Sequence, residues 1–256
     1  MSLSFTGGDT DNVNFGSGSS IDNLTAWTII LWLYFNATGT PSRVVAQKGS
    51  FGGGNRNPDF YFDFAAATLS FNVDRATVDT STVSSTTVPT GAWTCVAATY
   101  DGTDGGRIFQ GSLTALLTEN SYTVNTVGSG AIADNSAANL FVGGDGSGSN
   151  NSFNGNVDSV AVFNRRMALA ELQSHQFNPR VENGCVLFTR LGFNGTGTQP
   201  DWSGNGNSGT VTGATAADPA PLMRPWRRPA IEVPYAVASA AFFNPYYYRE
   251  QIARAV

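Results

Sequence analysis

Charged residues are scarce in this chain. Asp, Glu, Lys and Arg make up only 13% of its 256 residues, against about a quarter in an average soluble protein. Lysine occurs once, at Lys48, and histidine once, at His175. The net charge is −5 and the sequence pI is about 4.7. This balance argues against a nucleic-acid partner, because such a surface needs clustered positive charge.

Cysteine is also rare, and long apolar runs are missing. Cys95 and Cys185 are too few for a disulfide framework. We expect either two small buried thiols or one bond between them. No apolar run reaches the roughly 18 residues of a membrane span, so a membrane partner is not expected.

The first residues, 1–8, lack the basic start and apolar stretch of a signal peptide. We therefore expect a protein that either had a leader removed or leaves the cell by another route. The predicted locations are a virion or the extracellular space.

Small polar residues take the place of the missing charges. Gly, Ser, Thr and Asn are abundant, which is typical of short strands joined by tight turns. Strand-like runs rich in β-branched and aromatic residues include Leu24–Phe35, Trp93–Tyr100 and Phe153–Phe163. Their regular recurrence between turns predicts an all-β sandwich.

One short helix is predicted, over Met167–His175, from a run of good helix formers. Leu169 and Leu172 are three residues apart and could share an apolar face. His175 in the last turn is a candidate catalytic or metal-binding residue. Its position near the negative end of the helix dipole is the simpler explanation, because the sequence has no second histidine for a cluster.

The C-terminal third falls into two parts. Residues 183–215 return to strand patterns, and some thirty residues cannot bury a core of their own, so they should add strands to the same sandwich. Residues 1–215 are thus predicted to form one domain. From residue 216 onward prolines accumulate and the chain ends in an aromatic stretch. We expect an extended Pro-rich arm over 216–256, covered by its own sandwich or by another subunit.

Four segments resemble laminin-G-like and pentraxin-like domains, in the order in which that family carries them. They are residues 3–13 (LSFTGGDTDNV), 44–49 (VVAQKG), 91–102 (GAWTCVAATYDG) and 153–165 (FNGNVDSVAVFNR). The resemblance implies a concanavalin-like jelly-roll β-sandwich. There are departures: Thr6 and Asn12 replace a usual Asp and a common aromatic. Residues 201–210 (DWSGNGNSGT) resemble a motif that usually lies near the start of such domains.

The resemblance also implies a calcium site. Asp158 is the best candidate ligand, with Asp9 or Asp11 and turn carbonyls beside it. Asp158 lies among valines, so its carboxylate needs a partner if it is buried. Calcium, Arg165 and backbone amides are the three candidates for that partner.

Catalytic signatures are missing from the sequence. Hydrolases with related sandwiches carry Glu and Asp two residues apart on one strand, and none of the five glutamates has such a neighbour. We therefore expect no enzyme activity. Four aromatic residues are candidate sugar platforms, although a core position is expected for each: Trp32, Tyr34, Tyr61 and Trp202.

Two functions remain in competition. The first is a recognition module that binds glycan or protein through loops at one edge of the sandwich, as a secreted or cell-surface lectin would. The second is a structural component of an assembly, such as a decoration, tail or fibre protein of a phage virion. Its expected partners are other subunits, including copies of itself, bound through the 216–256 arm. A glycoside hydrolase is the least favoured alternative.

Overall fold

The computed structural model describes residues 1–7, 10–36, 43–49, 54–63, 65–146 and 152–222. Sixteen strands and one α-helix lie in these ranges, so the predicted all-β fold with one short helix is confirmed. The strands are β1 Ser2–Thr6, β2 Asn12–Asn14, β3 Trp27–Phe35, β4 Arg43–Lys48, β5 Asp59–Asp63, β6 Thr68–Val73, β7 Thr80–Thr87, β8 Trp93–Tyr100, β9 Arg107–Ser112, β10 Thr118–Glu119, β11 Tyr122–Thr126, β12 Leu140–Val142, β13 Asn154–Phe163, β14 Cys185–Arg190, β15 Thr210–Thr212 and β16 Thr215–Ala217. The helix α1 spans Leu169–Phe177.

The strands form two antiparallel eight-stranded sheets. The first sheet has the order β10-β9-β8-β3-β13-β1-β16, with β14 also paired to β13. The second has the order β11-β7-β6-β5-β4-β12-β2-β15. Neighbours in the sheets are often distant in the chain, which is the Greek-key pattern of a jelly-roll sandwich.

The main core lies between the two sheets, where alternate residues of facing strands meet. Phe60 and Phe62 of β5 point inward, and Tyr61 between them faces the outside of the second sheet. Phe35 of β3 packs on Phe62 with ring centroids 4.3 Å apart. The many aromatic rings between the sheets give the sandwich its buried apolar area.

A second apolar cluster covers the outer face of the first sheet. It includes Trp32, Cys95 and Phe163 from the sheet and Leu172 from α1. The helix therefore shields the back of the sheet. It begins two residues later than predicted, where the Glu171 carboxylate accepts a hydrogen bond from the Ala168 backbone amide. Leu172 is fully buried, but Leu169 is 40% exposed, so the two leucines do not share one buried face.

The late strands complete both sheets. β14 and β16 pair with β13 and β1 in the first sheet, and β15 pairs with β2 in the second. The sheet continues to Ala217, two residues beyond the predicted end of the sandwich at residue 215, because Thr215–Ala217 pairs with Ser2–Ser4. Residues 223–256 of the predicted arm lie outside the described residues.

Candidate functional site

A groove opens at the end of the sandwich where four loops meet. Its volume is about 500 Å³, within the range of small-ligand sites. The loops precede β3 and connect β6 to β7, β8 to β9 and β11 to β12. We call it the loop groove, and it is lined by Asn23, Thr25, Arg75, Asp101, Gly102, Thr103, Ile132, Ala133 and Asp134.

Asp101 forms one acidic wall of the loop groove. Its Oδ1 accepts hydrogen bonds from the Thr103 backbone amide at 3.1 Å and hydroxyl at 2.7 Å. Its Oδ2 lies 2.8 Å from Nη1 of Arg166. Burial alone would raise the pKa of this carboxyl, but these hydrogen bonds outweigh it and lower the pKa to about 2. Asp101 is therefore ionised and held in one orientation.

Asp134 supplies a second carboxylate, on the opposite loop. It is exposed, and its Oδ1 accepts a hydrogen bond from the Ser136 backbone amide at 3.0 Å. Hydrogen bonds from Ser136 and Asn23 hold the pKa of Asp134 below its usual value. Both carboxyls of the groove thus lack a proton near neutral pH, and neither can serve as a general acid there.

Arg75 brings a positive charge to the same groove. Its Nε donates to the Gly130 carbonyl at 3.0 Å, and its Nη1 donates to the hydroxyl of the buried Tyr100 at 2.6 Å. Its backbone amide donates to Asp79 at 2.7 Å. These anchors fix the guanidinium before any ligand arrives, which reduces the entropy lost on binding.

Three asparagines, of which Asn57 and Asn135 are buried, tie the groove loops together. Asn23 and Asn135 exchange two hydrogen bonds of 2.9 Å, each from a backbone amide to the other's side-chain oxygen. The Asn135 side chain also donates to the Asn57 carbonyl at 2.6 Å. Asn57 in turn donates to the Leu24 carbonyl at 3.0 Å. Asn23 has a φ of 49°, a left-handed conformation that asparagine tolerates better than most residues.

Two buried ion pairs lie behind these loops. Lys48, the single lysine, is fully buried with its Nζ 2.8 Å from Asp22. Arg56 is bonded to Asp59 at 2.9 Å and to Asp74 at 3.0 Å. The Asp74 carbonyl then accepts the amide of Ala133, which lines the groove, at 3.0 Å. Lys48 and Arg56, with their carboxylate partners, thus lie behind the groove and help to position its walls.

The predicted calcium ligands are placed as follows. Asp158 lies in a bulge of β13, is only 3% exposed, and accepts a hydrogen bond at 3.0 Å from the Ala220 backbone amide. Of the three candidate partners, a backbone amide is therefore one that Asp158 has, while Arg165 pairs with Glu171 at 2.7 Å. Asp11 accepts bonds from the Thr6 amide and hydroxyl, both at 2.7 Å. Asp9 lies outside the described residues.

Metal ligands do not cluster among the described residues: no three His, Cys, Asp or Glu side chains there are close enough to share an ion. Calcium also takes carbonyl ligands, so the calcium site of the sequence analysis stays a prediction.

His175 is buried with its Nδ1 3.6 Å from Glu182. Cys95 and Cys185 are both buried free thiols. In the part of the chain that the structure covers, no helix is long and apolar enough to cross a membrane.

The aromatic candidates divide between core and surface. Trp32 is buried and donates its indole N–H to the Gln176 carbonyl at 2.8 Å. Tyr34 is half-buried against Trp93, and Tyr61 is half-buried on the outside of the second sheet. Trp202 is exposed. The core expectation is therefore confirmed for Trp32 only. Tyr34, Tyr61 and Trp202 lie outside both apolar clusters, and Trp202 sits on a turn.

Sequence reasoning missed the residues of the loop groove. Asn23, Arg75 and Asp134 come from three separate loops, and no local motif marks any of them. Asp101 was visible only as a turn residue after β8. Only the tertiary arrangement of the strands brings these loops together, and residue spacing does not encode that arrangement.

Comparison with known proteins gives the same fold. The family model of the concanavalin A-like lectin/glucanases superfamily matches residues 6–173. A structure of a Bacteroides ovatus protein with a proposed carbohydrate-binding role aligns at a TM-score of 0.61 and 14% identity, covering 86% of this chain. The chain spans 61% of the length of that structure. No curated protein sequence matches the chain.

Two further structures align over smaller parts. The heptameric SAP-like pentraxin of Limulus polyphemus has a TM-score of 0.47 and 14% identity, with 69% of this chain and 82% of the pentraxin covered. The CBM40 of a Ruminococcus gnavus sialidase, bound to α2,3-sialyllactose, has a TM-score of 0.49 and 12% identity, with 68% and 95% covered. The family match extends over well more than half of the sequence. The chain belongs to the concanavalin A-like lectin/glucanases superfamily.

Proposed function

We propose that this protein is a non-catalytic carbohydrate-binding module and that the loop groove is its binding site. The observation that carries the proposal is the chemistry of the groove walls. Two ionised carboxylates, a fixed guanidinium, an amide and two hydroxyls surround a floor of Ile132 and Ala133. Sugars present hydroxyls that donate and accept hydrogen bonds around an apolar ring, and this mixture of groups suits them.

The electrostatics favour binding over hydrolysis. Glycoside hydrolysis needs one carboxyl that keeps its proton until it gives it to the leaving group. The pKa values of Asp101 and Asp134 are both lowered, so neither fits that role. The described glutamates are engaged elsewhere: Glu119, Glu171 and Glu182 each pair with an arginine outside the groove. The structural neighbour with a proposed carbohydrate-binding role supports the same assignment.

A glycan array followed by calorimetry with the strongest oligosaccharide tests the proposal. Asp134→Asn keeps an acceptor for the Ser136 amide and removes the charge, and Thr25→Val keeps the volume and removes a hydroxyl. We expect each to weaken binding about tenfold, because one hydrogen bond to a charged group or hydroxyl is lost. Asp218→Asn, an exposed carboxyl outside the groove, is the matched control. Equal affinity of all four proteins would place the binding site elsewhere.

A further inference from the structure

Two aromatic rings stand exposed on the loops between β14 and β15. Phe193 is 57% exposed and Trp202 is 38% exposed, and no other described Phe or Trp is more than about a third exposed. Their ring centroids are 5.2 Å apart at an interplanar angle of 84°. The inner side of Trp202 rests on Phe188 at 5.7 Å. Both rings lie beyond residues 6–173, the part that matches the family model.

Gln199 holds the loop that carries Phe193. Its side chain is fully buried, and its Oε1 accepts the Gly192 amide at 2.8 Å. Its Nε2 donates to the carbonyls of Gly195 at 3.1 Å and Gly197 at 2.6 Å. Gln199 and the backbone bonds from Gly195 to Gly192 and from Gly197 to Asn194 close the loop, so the position of Phe193 is fixed.

Asp201 holds the neighbouring turn that carries Trp202. Its Oδ1 accepts the amides of Phe188 at 3.1 Å and Ser203 at 2.9 Å. Its Oδ2 accepts the Ser203 hydroxyl and the Asn207 amide, each at 2.9 Å. The Trp202 amide itself donates to the Phe188 carbonyl at 2.7 Å. A fully hydrogen-bonded carboxylate thus fixes the turn in which Trp202 stays partly exposed, and an exposed aromatic pair on a rigid turn is typical of a binding surface.

We propose that Phe193 and Trp202 form a platform for a sugar ring of an oligosaccharide, separate from the loop groove, in which one aromatic ring stacks on the sugar and the other, at 84° to it, contacts the edge of the sugar. The negative face of an aromatic ring attracts the polarised C–H groups on the apolar side of a pyranose. The Trp202 indole N–H has no acceptor among the described residues and can donate to a sugar hydroxyl. The loops around the rings offer uncharged polar groups that are exposed: Asn194, Thr196, Thr198, Asn205 and Ser208.

The size of the platform decides between a sugar and a protein partner. Two aromatic side chains bury at most roughly 300–500 Å² between them. A stable protein interface takes about 800 Å² from each partner. The surrounding small polar residues add little apolar area to the two rings. The platform is thus too small for a stable protein contact and matches one or two sugar rings.

Native gels cast with a soluble β-glucan, mannan, xylan or galactan test the platform on the full-length chain. We expect at least one polysaccharide to retard the wild type. Trp202→Ala and Phe193→Ala should each lower that affinity about tenfold or more, and Trp202→Tyr should restore most of it because it keeps a ring. Leu116→Ala, which removes an exposed side chain elsewhere, should bind as the wild type does. Circular dichroism verifies that every variant is folded.

The platform is a second carbohydrate-binding surface, so this proposal rests on the proposed function. Different experimental outcomes contradict the platform and the loop groove. Retardation lost in Trp202→Ala but kept in Asp134→Asn supports the platform. Retardation lost only in Asp134→Asn overturns the platform and leaves the loop groove as the site. No retardation of the wild type by any of the four polysaccharides overturns the platform. A change of molar mass by light scattering in Trp202→Ala, without loss of retardation, would show that the rings bind protein instead.

Discussion

Individual polar residues in this protein position loops more than they stabilise the fold. Lys48 and Asp22 form an ion pair with the lysine fully buried, and Arg56 holds two carboxylates at once. The desolvation of such charges offsets much of their attraction, so buried pairs add little net stability. Their main effect is on orientation, because each of them fixes a loop that lines the groove. Removing one partner would leave a buried charge unpaired and would shift that loop.

His175 lies in a largely apolar environment and is only 2% exposed. It lies edge-on to Phe163 at 5.6 Å and to Phe188 at 6.1 Å. Burial, together with the positive charge of Arg180, lowers the pKa of its imidazole to about 4. Glu182 would favour the charged form, but burial outweighs it. The histidine is thus neutral in the folded protein, and among the described residues it belongs to no group of three side chains that could hold a metal ion.

Acid should destabilise the protein through His175. The unfolded chain takes up a proton near pH 6.5 and the folded chain only near pH 4, so stability is lost as the pH falls between these values. The loss should approach about 3 kcal/mol. Chemical denaturation of the wild type and of His175→Phe, from pH 7.5 to pH 4, measures it. We expect the wild type to lose stability relative to the variant as the pH falls.

The comparison of the wild type with His175→Phe is needed because Asp59 also changes stability in this pH range. Burial raises the pKa of its carboxyl to about 6 in spite of Arg56. Its contribution is therefore present below the unfolded pKa near 3.8 and is lost as the pH rises through about 6. This opposes the histidine in the same range but is common to both proteins, so it cancels in the difference. Parallel pH profiles of the two proteins would contradict the role of His175.

Among the elements, β13 organises the first sheet. Its first half pairs with β1 and its second half with β14, while β3 runs along its other side. The change of partner coincides with the bulge at Asp158, where the Leu191 amide donates to the Asp158 carbonyl at 2.6 Å. A bulge of this kind bends a strand and redirects its side chains. It turns the Asp158 carboxylate toward Ala220, near the end of the described chain.

Gly155 of β13 should tolerate no side chain. Its φ is +152°, and an added Cβ would lie 1.9 Å from the Tyr34 carbonyl oxygen of β3. Because this contact is with backbone in the middle of a sheet, Gly155→Ala should lower the free energy of unfolding by about 3–5 kcal/mol. Urea denaturation measures the loss.

Gly195 offers the matched control. It also has a positive φ, of +60°, but no heavy atom lies within 4 Å of an added Cβ. Gly195→Ala should therefore cost only about 1 kcal/mol, the strain of the left-handed conformation. Similar losses in the two variants would mean that backbone conformation, and not the clash with β3, is what requires glycine at position 155.

At the scale of the whole molecule, the fold closes through its late strands. β16 pairs with β1, so residues near both ends of the described chain meet at one edge of the first sheet. The Ser2 hydroxyl donates to the Asp218 carbonyl at 2.6 Å, and Ala220 donates to Asp158. The sandwich therefore includes residues up to Leu222 and does not end at residue 215.

Two truncations measure what this closing segment contributes. A chain that ends at Leu222 keeps β16 and the bond to Asp158, whereas a chain that ends at Ala214 loses both. The shorter chain should be less stable by at least about 2 kcal/mol, because a buried carboxylate oxygen loses a donor. This corresponds to a melting temperature lower by roughly 4–8 °C. Equal melting temperatures would show that residues 215–222 are dispensable for the sandwich.

The same Leu222 chain tests the prediction of an assembly protein. Light scattering compares its molar mass with that of the full chain. An oligomer that becomes a monomer on truncation would support binding of other subunits through the C-terminal residues. Equal masses would contradict self-association through those residues and would leave the virion hypothesis without an observation in its favour.

Much of this fold was predictable because it depends on local patterns. Runs rich in β-branched and aromatic residues identified β3, β8 and β13, since such side chains favour strands, and all three strands are buried on nearly every residue. The run of good helix formers after β13 located α1 within two residues. The hydrogen bond between Glu171 and Ala168 set the actual start of the helix, and helix propensities do not predict such a contact.

The functional surfaces were far less predictable from the sequence. Trp202 could be named as a candidate, but only the turn held by Asp201 shows that its ring is exposed. Asp158 could be identified as a carboxylate among valines that needed a partner. That Ala220 supplies a donor depends on a contact across 62 positions of the chain, which no local pattern encodes.

The sequence by itself determined the class of the molecule: an all-β sandwich of the concanavalin type, with one helix and without paired catalytic carboxylates on a strand. The all-β class follows from β-branched and aromatic runs between turn residues, because such runs favour strands. The concanavalin type is what the resemblance of four segments to that family implies. The tertiary structure alone decided where the scarce charges lie, which four loops meet in a groove, and which aromatic rings stay exposed. Those depend on packing between strands that are distant in the chain, and the free energy of that packing is a property of the whole fold.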